Sequence, residues 1–313
     1  MKQPTVLCIV GPTAAGKTAL SVALAKTLNG EIVSADAVAV YRGMDIGSAK
    51  PAPNERQGVL HHMIDCAEIT DSDYTVSVFR EQARTAIDGI LAKGKLPIVV
   101  GGSGLYADAI FSDMRFSAPS DPALRSELEA EYDRDQNAFF ERLSGLDVVT
   151  AQRLHPNDKK RVVRAVEVCL LTGEPFSSLN RDFADAQSGD GTYRVVRIGL
   201  NMDRQELYRR IDLRVDEMIS NGLVSEAYGL FDCGLTPSRY TAMQAIGYAQ
   251  LYDVYTGACS LQEGIDRIKL ATRHFAKRQI TWFKRNPDTV WFDVQKTGRD
   301  EIIQQVTELL YGN

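Results

Sequence analysis

Short apolar runs along the chain alternate with longer stretches in which apolar residues recur every three or four positions. Val6–Val10, Glu31–Ser34, Pro97–Val100, Tyr193–Gly199 and Val290–Phe292 read as strands. Helical patterns near Thr18–Leu28 and Val78–Ala92 lie between the first three. That alternation predicts an α/β fold with a parallel sheet flanked by helices. From Asp121 the pattern changes. Leu124, Leu128 and Tyr132, then Phe139, Leu143 and Leu146, then Val162, Val166, Cys169 and Leu170 keep helical spacing up to Thr172. Pro119–Pro122 reads as a boundary with Ser120 or Asp121 as the helix cap. The Asp-, Ser- and Gly-rich stretch 183–192 reads as a loop and second boundary. One long amphipathic helix is expected to carry Leu207, Ile211, Val215 and Met218 on to Phe231. The expected organisation is a core from 1–120, a helical insertion over 121–190, and a return to the core over 191–313.

Composition narrows the class. The 313 residues are 44% hydrophobic and 25% charged, ordinary for a globular enzyme with a sizeable core. No run approaches 18 apolar residues, so no membrane span is expected. Val6–Val10 is too short for a secretory leader. The five cysteines are scattered and odd in number, as suits inert thiols in a reducing cytoplasm, the expected compartment. His61 and His62 are adjacent and lack a third ligand nearby, so they do not predict a transition-metal site. A net charge of −5 argues against a globally basic nucleic-acid binder.

The first chemical signal is Gly11-Pro12-Thr13-Ala14-Ala15-Gly16-Lys17-Thr18, which fits G-x-x-x-x-G-K-[ST] between a strand and a helix. Backbone N–H groups and the helix N-terminus suit a phosphate ester, Lys17 supplies a point charge, and the Thr18 hydroxyl can ligate Mg²⁺. The usual cargo is ATP, with a second strand ending in an Asp that holds the metal. The strand ending at Val100 runs instead into Gly101-Gly102-Ser103-Gly104. The strand Glu31–Ser34 does run into an acid, Asp36, so either Asp36 is the metal acid or this loop does other work.

Further segments bear on that choice. Asp36-Ala37-Val38-Ala39-Val40-Tyr41-Arg42-Gly43-Met44-Asp45-Ile46-Gly47, Gly101-Gly102-Ser103-Gly104-Leu105-Tyr106, and His155-Pro156-Asn157-Asp158 before Arg161 and Arg164 come first. Arg210-Ile211-Asp212-Leu213-Arg214, Ile246-Gly247-Tyr248 and Lys277-Arg278-Gln279-Ile280-Thr281-Trp282-Phe283 follow. Together, over nearly the whole chain and in order, they closely resemble the bacterial tRNA dimethylallyltransferases (tRNA isopentenyltransferases). The resemblance implies transfer of a dimethylallyl group from dimethylallyl diphosphate to N6 of adenine 37, beside the anticodon of tRNAs reading U-starting codons. It also implies that the P-loop holds the donor's diphosphate, with Mg²⁺ as cofactor and a monomeric enzyme. Asp36 is then the general base, Arg214 an added cation on the diphosphate, and Ser103 a site hydroxyl where the family usually has Thr. The tRNA contacts implied are Asp36, Ala37, Val38, Ala39, Ser103, Arg125, Lys160, Arg161, Val162, Val163, Arg164, Gln244, Gly247, Tyr248, Lys277, Arg278, Gln279 and Trp282. Ala37 stands where the family usually has Ser, and Ala39 where Gln is frequent.

Local charge fits such a partner. Seven cations and no acid lie between Arg267 and Arg285; the rest of the chain holds 29 basic against 41 acidic residues. Lys269, Arg273 and Lys277 fall on one helical face, with Phe275, Trp282 and Phe283 interleaved, a combination that suits backbone tracking and base stacking. An adenylate prenyltransferase, a small-molecule kinase and an RNA-binding protein with a vestigial P-loop are the competing readings. The basic aromatic segment and the insertion disfavour the first, and intact Lys17, Thr18 and Asp36 disfavour the last.

Overall fold

The computed structural model describes residues 3–71, 73–112, 121–179 and 191–312. Six strands form one all-parallel sheet: β1 (Thr5–Val10), β2 (Gly30–Ser34), β3 (His61–His62), β4 (Leu96–Gly101), β5 (Arg194–Asn201) and β6 (Val290–Asp293). Their spatial order is β3-β2-β4-β1-β5-β6. The helices of the first part are α1 (Lys17–Thr27), α2 (Pro53–Arg56), α3 (Val76–Ala92) and α4 (Gly104–Phe111). Then come α5 (Pro122–Arg134), α6 (Gln136–Leu146), α7 (Val148–Arg153), α8 (Lys159–Thr172) and α9 (Phe176–Leu179). The chain ends through α10 (Arg204–Ser220), α11 (Leu223–Asp232), α12 (Tyr248–Tyr255), α13 (Leu261–Phe283) and α14 (Arg299–Tyr311). The P-loop-type α/β architecture is thus the one expected from the alternation.

Two compact units divide the chain, one of 1–111 with 190–313, the other of 112–189. In the first, the pleat of β1 sends alternate residues to opposite faces. Val6, Cys8 and Val10 join Phe79, Ile87, Ile110, Phe231, Leu251 and Phe283. Leu7 and Ile9 join Leu20, Leu24, Leu207, Ile211, Ile302 and Val306 on the other side. A sheet covered on both faces explains why its strands are continuous apolar runs rather than alternating ones. Each such buried aliphatic side chain contributes about 1.5–3 kcal/mol. The second unit has its own core of Leu128, Tyr132, Phe139, Leu143, Val162, Val163 and Val166. Helices α5 to α8 start on acids: the carboxylates of Asp121, Asp135, Asp147 and Asp158 accept hydrogen bonds from first-turn N–H groups.

Two expectations change. The single helix expected up to Phe231 is broken after Ser220: Gly222 adopts φ +100° and α11 starts afresh at Leu223. A left-handed backbone there is open to glycine and strained for other residues, so the apolar periodicity continues while the axis does not. Asp121 is the cap of α5. The alternative cap Ser120, with Pro119, and the expected loop over 183–190 lie outside the described residues.

Candidate active site

Three neighbouring strands deliver the site. β2, β4 and β1 are adjacent, and Ser34 pairs with Val100 while Val10 pairs with Gly101. The P-loop after β1, the segment from Ala35 after β2, and the Gly101–Gly104 turn after β4 therefore emerge together at the carboxyl edge, where open α/β sheets bind ligands. Gly11 adopts φ +143°, and a Cβ on it would lie 2.6 Å from the Leu200 carbonyl oxygen on β5. The motif's first glycine is thus fixed by packing as well as by the turn.

Lys17 bends back over its own loop. Its Nζ donates to the carbonyls of Gly11 at 2.9 Å and Pro12 at 2.6 Å. Burial, and then the nearby Arg214, lower its pKa to about 7, with Asp36 offsetting part of the shift. Arg214 reaches in from α10 and donates Nη1–H to the Thr13 hydroxyl at 3.2 Å. Burial lowers its pKa too, opposed by Asp36, Glu55 and Glu217, yet a guanidinium stays charged. Two cations thus border one phosphate-sized turn, with a single carboxylate near both.

Asp36 Oδ1 accepts the N–H groups of Val38 at 2.8 Å and Ala39 at 3.1 Å, which pins the turn behind it. Its Oδ2 takes no hydrogen bond from the described residues, leaving a basic oxygen available. The Ser103 Oγ accepts the Ala37 N–H at 3.0 Å, so the β4 turn braces the residue beside Asp36. The Thr18 hydroxyl likewise has no partner among the described residues. No three His, Cys, Asp or Glu side chains among those residues cluster to hold a metal. A dication here would draw its remaining ligands from substrate oxygens and water, as Mg²⁺ does, and the Thr18 hydroxyl is a hard oxygen donor that fits it.

Residues expected at an RNA surface fall into two groups. Lys160, Arg161, Gln244, Lys277 and Arg278 are exposed. Arg125 and Arg164 are partly exposed, and both bond Glu167, which is fully buried. Burial raises the Glu167 pKa, but those two guanidiniums and the Asp121 N–H hold it below the ordinary value. By contrast, the side chains of Val162, Val163, Tyr248 and Gln279 are core positions, at most 5% exposed. They sit on the apolar stripes of α8, α12 and α13, so these four side chains face the core rather than an open surface. Phe283 is buried as well, and Lys269 and Arg273 pair with Asp216 and Asp212 on α10. Trp282 is partly buried, its Nε1–H donates to Asp108 Oδ2 at 2.7 Å, and Arg285 lies 3.9 Å over its ring.

Sequence reasoning missed Glu226. Its carboxylate accepts the N–H groups of Asp45, Ile46 and Gly47 and the Tyr248 hydroxyl, all within 2.6–3.0 Å. Gly47 packs so tightly on that ring that a Cβ would lie 2.5 Å from it. The segment following Asp36 is thereby anchored to α11 and α12. A readable signal existed: Glu226 lies on the stripe of Leu223, Ala227 and Phe231, where an acid needs partners.

The IPP transferase family model matches residues 39–286. A tRNA dimethylallyltransferase of Geobacillus thermodenitrificans is 46% identical over 291 residues, covering 92% of this chain and 90% of that protein. The crystal structure of a full-length tRNA isopentenylpyrophosphate transferase from Bacillus halodurans superposes with a TM-score of 0.73 at 40% identity, covering 99% of this chain and 96% of that one. A eukaryotic dimethylallyltransferase, studied crystallographically acting on tRNA, superposes with a TM-score of 0.79 at 26% identity over 98% of this chain and 79% of its own. The chain belongs to the IPP transferase family, a family of prenyl-transferring enzymes.

Proposed function

We propose that this protein transfers the dimethylallyl group of dimethylallyl diphosphate to N6 of adenine 37 in tRNAs reading U-starting codons, giving N6-isopentenyladenosine. The observation that carries the reading is the free Oδ2 of Asp36 beside a P-loop bordered by Lys17 and Arg214. The diphosphate binds in the P-loop, with Lys17 and Arg214 facing the oxygens that gain charge as the allylic C–O bond breaks. Thr18 would hold Mg²⁺, which supplies Lewis-acid stabilisation of the leaving diphosphate. The N6 lone pair forms the new C–N bond, and its proton passes to Asp36 Oδ2. The target base leaves the anticodon stack at a cost of a few kcal/mol, and backbone contacts offset that cost. Lys160, Arg161, Lys277 and Arg278 are the exposed cations suited to them. Trp282, with Arg285 over its ring, is an aromatic on the same helix as the last two.

Purified protein with Mg²⁺ and labelled dimethylallyl diphosphate is expected to label unmodified tRNA at adenine 37, read by nucleoside mass spectrometry. Equal labelling of AMP with no labelling of tRNA would instead favour an adenylate prenyltransferase. The double substitution Lys277→Ala, Arg278→Ala is expected to weaken binding of an anticodon stem-loop. It should also reduce the slope of log affinity against log salt by roughly one for each phosphate no longer neutralised. An unchanged slope removes the RNA role given to those two side chains.

A further inference from the structure

Gln279 holds a core position on α13 with its amide engaged at both ends. The Thr13 N–H donates to Oε1 at 2.9 Å, and Nε2 donates to the Gly102 carbonyl at 2.8 Å. One partner offers only a hydrogen and the other only lone pairs, so a single orientation of the amide satisfies both. The fit is close: a Cβ on Gly102 would lie 2.3 Å from Nε2. Gly102 precedes Ser103, whose hydroxyl accepts the Ala37 N–H, and Ala37 follows Asp36. One side chain thus bridges the P-loop to the turn that braces the carboxylate. Two turns far apart in sequence share one amide.

We propose that Gln279 is a positioning residue for prenyl transfer, fixing the separation between the bound diphosphate and Asp36 by clasping Thr13 to Gly102. The inference rests on the prenyl-transfer reading and deepens it. Transfer requires the allylic carbon, the N6 nitrogen and the Asp36 oxygen to be in register at one moment, and a slip of about 1 Å is enough to cost about 10²-fold. A loop pair held at both ends by one buried amide resists that slip.

Gln279→Met removes both hydrogen bonds and keeps the bulk. Its kcat is expected to fall about tenfold or more, with the KM for the donor changed by less than about threefold. Gly102→Ala pushes the same amide aside and is expected to give the same kcat loss. The double variant should be no slower than the slower single one, since both act through one contact. An unchanged kcat in Gln279→Met, or losses that multiply in the double variant, overturns the proposal. Should Gln279→Met not fold, Gln279→Glu keeps the acceptor for Thr13 but cannot donate to Gly102 while ionised. Its kcat relative to wild type is then expected to recover as pH falls and the carboxyl protonates, and a flat ratio overturns the proposal. If the wild-type protein prenylates no tRNA, the functional reading itself fails. If it does and Gln279→Met keeps its kcat, this inference alone fails.

Discussion

Asp36→Asn is expected to lower single-turnover transfer by about 10²–10⁴-fold while diphosphate remains bound. The reasoning lies in how the two carboxylate oxygens are used. Oδ1 accepts the Val38 and Ala39 N–H groups, a task the amide oxygen of Asn can take over. The turn should therefore survive. What disappears is the basic oxygen at Oδ2, replaced by an NH₂ group that cannot accept a proton. An adenine amino group, with its lone pair delocalised into the ring, attacks poorly unless a base removes that proton. Transfer to an anticodon stem-loop measures the rate, and calorimetry with inorganic diphosphate measures binding. Loss of diphosphate binding in this variant would place Asp36 on the metal instead.

The second large effect belongs to Lys17. Lys17→Met is expected to weaken diphosphate binding about 10- to 100-fold, the worth of a charge-assisted hydrogen bond in a partly buried site. Wild-type binding should also depend on pH. With the free amine titrating at about 7, the bound diphosphate favours the charged form and raises that value. The Lys17 contribution to affinity is therefore full below pH 7 and falls as pH rises above it, because binding must then return a proton to its amine. In Lys17→Arg the guanidinium does not titrate in this range, so the slope above pH 7 should flatten. A ratio of wild-type to Lys17→Arg affinity that is constant from pH 6 to pH 9, within about twofold, contradicts that assignment.

The fold was legible wherever the physics is local. Val6–Val10, Glu31–Ser34 and the P-loop announce strand, turn and helix through residues close in sequence. The break at Gly222 was not legible, because Leu223, Ala227 and Phe231 keep the stripe of the preceding helix in phase. For the site, Lys17, Asp36, Ser103 and Arg214 could be named in advance, and the folded chain gathers them at one end of the sheet. Gln279 and Glu226 could not be given their roles. The partners of Gln279 lie 266 and 177 residues away and the backbone donors to Glu226 lie 179 to 181 away, and only folding supplies them. Gln279 was expected among the RNA contacts, and its side chain is instead buried. A polar side chain in a basic segment looks exposed until its helix phase shows it facing inward with Ala276 and Phe283.

The sheet's connectivity has a consequence for how the enzyme is made. β1 lies between β4 and β5, and Thr5 pairs with Arg194 and Val10 with Gly199. While the ribosome is still translating the segment before Arg194, the phosphate-binding strand has one edge of its ladder unfilled, an edge open to wrong partners. The chain can complete its donor site only after the whole second unit has been synthesised. A nascent fragment that stops short of β5 should therefore depend on chaperones to keep β1 from mispairing.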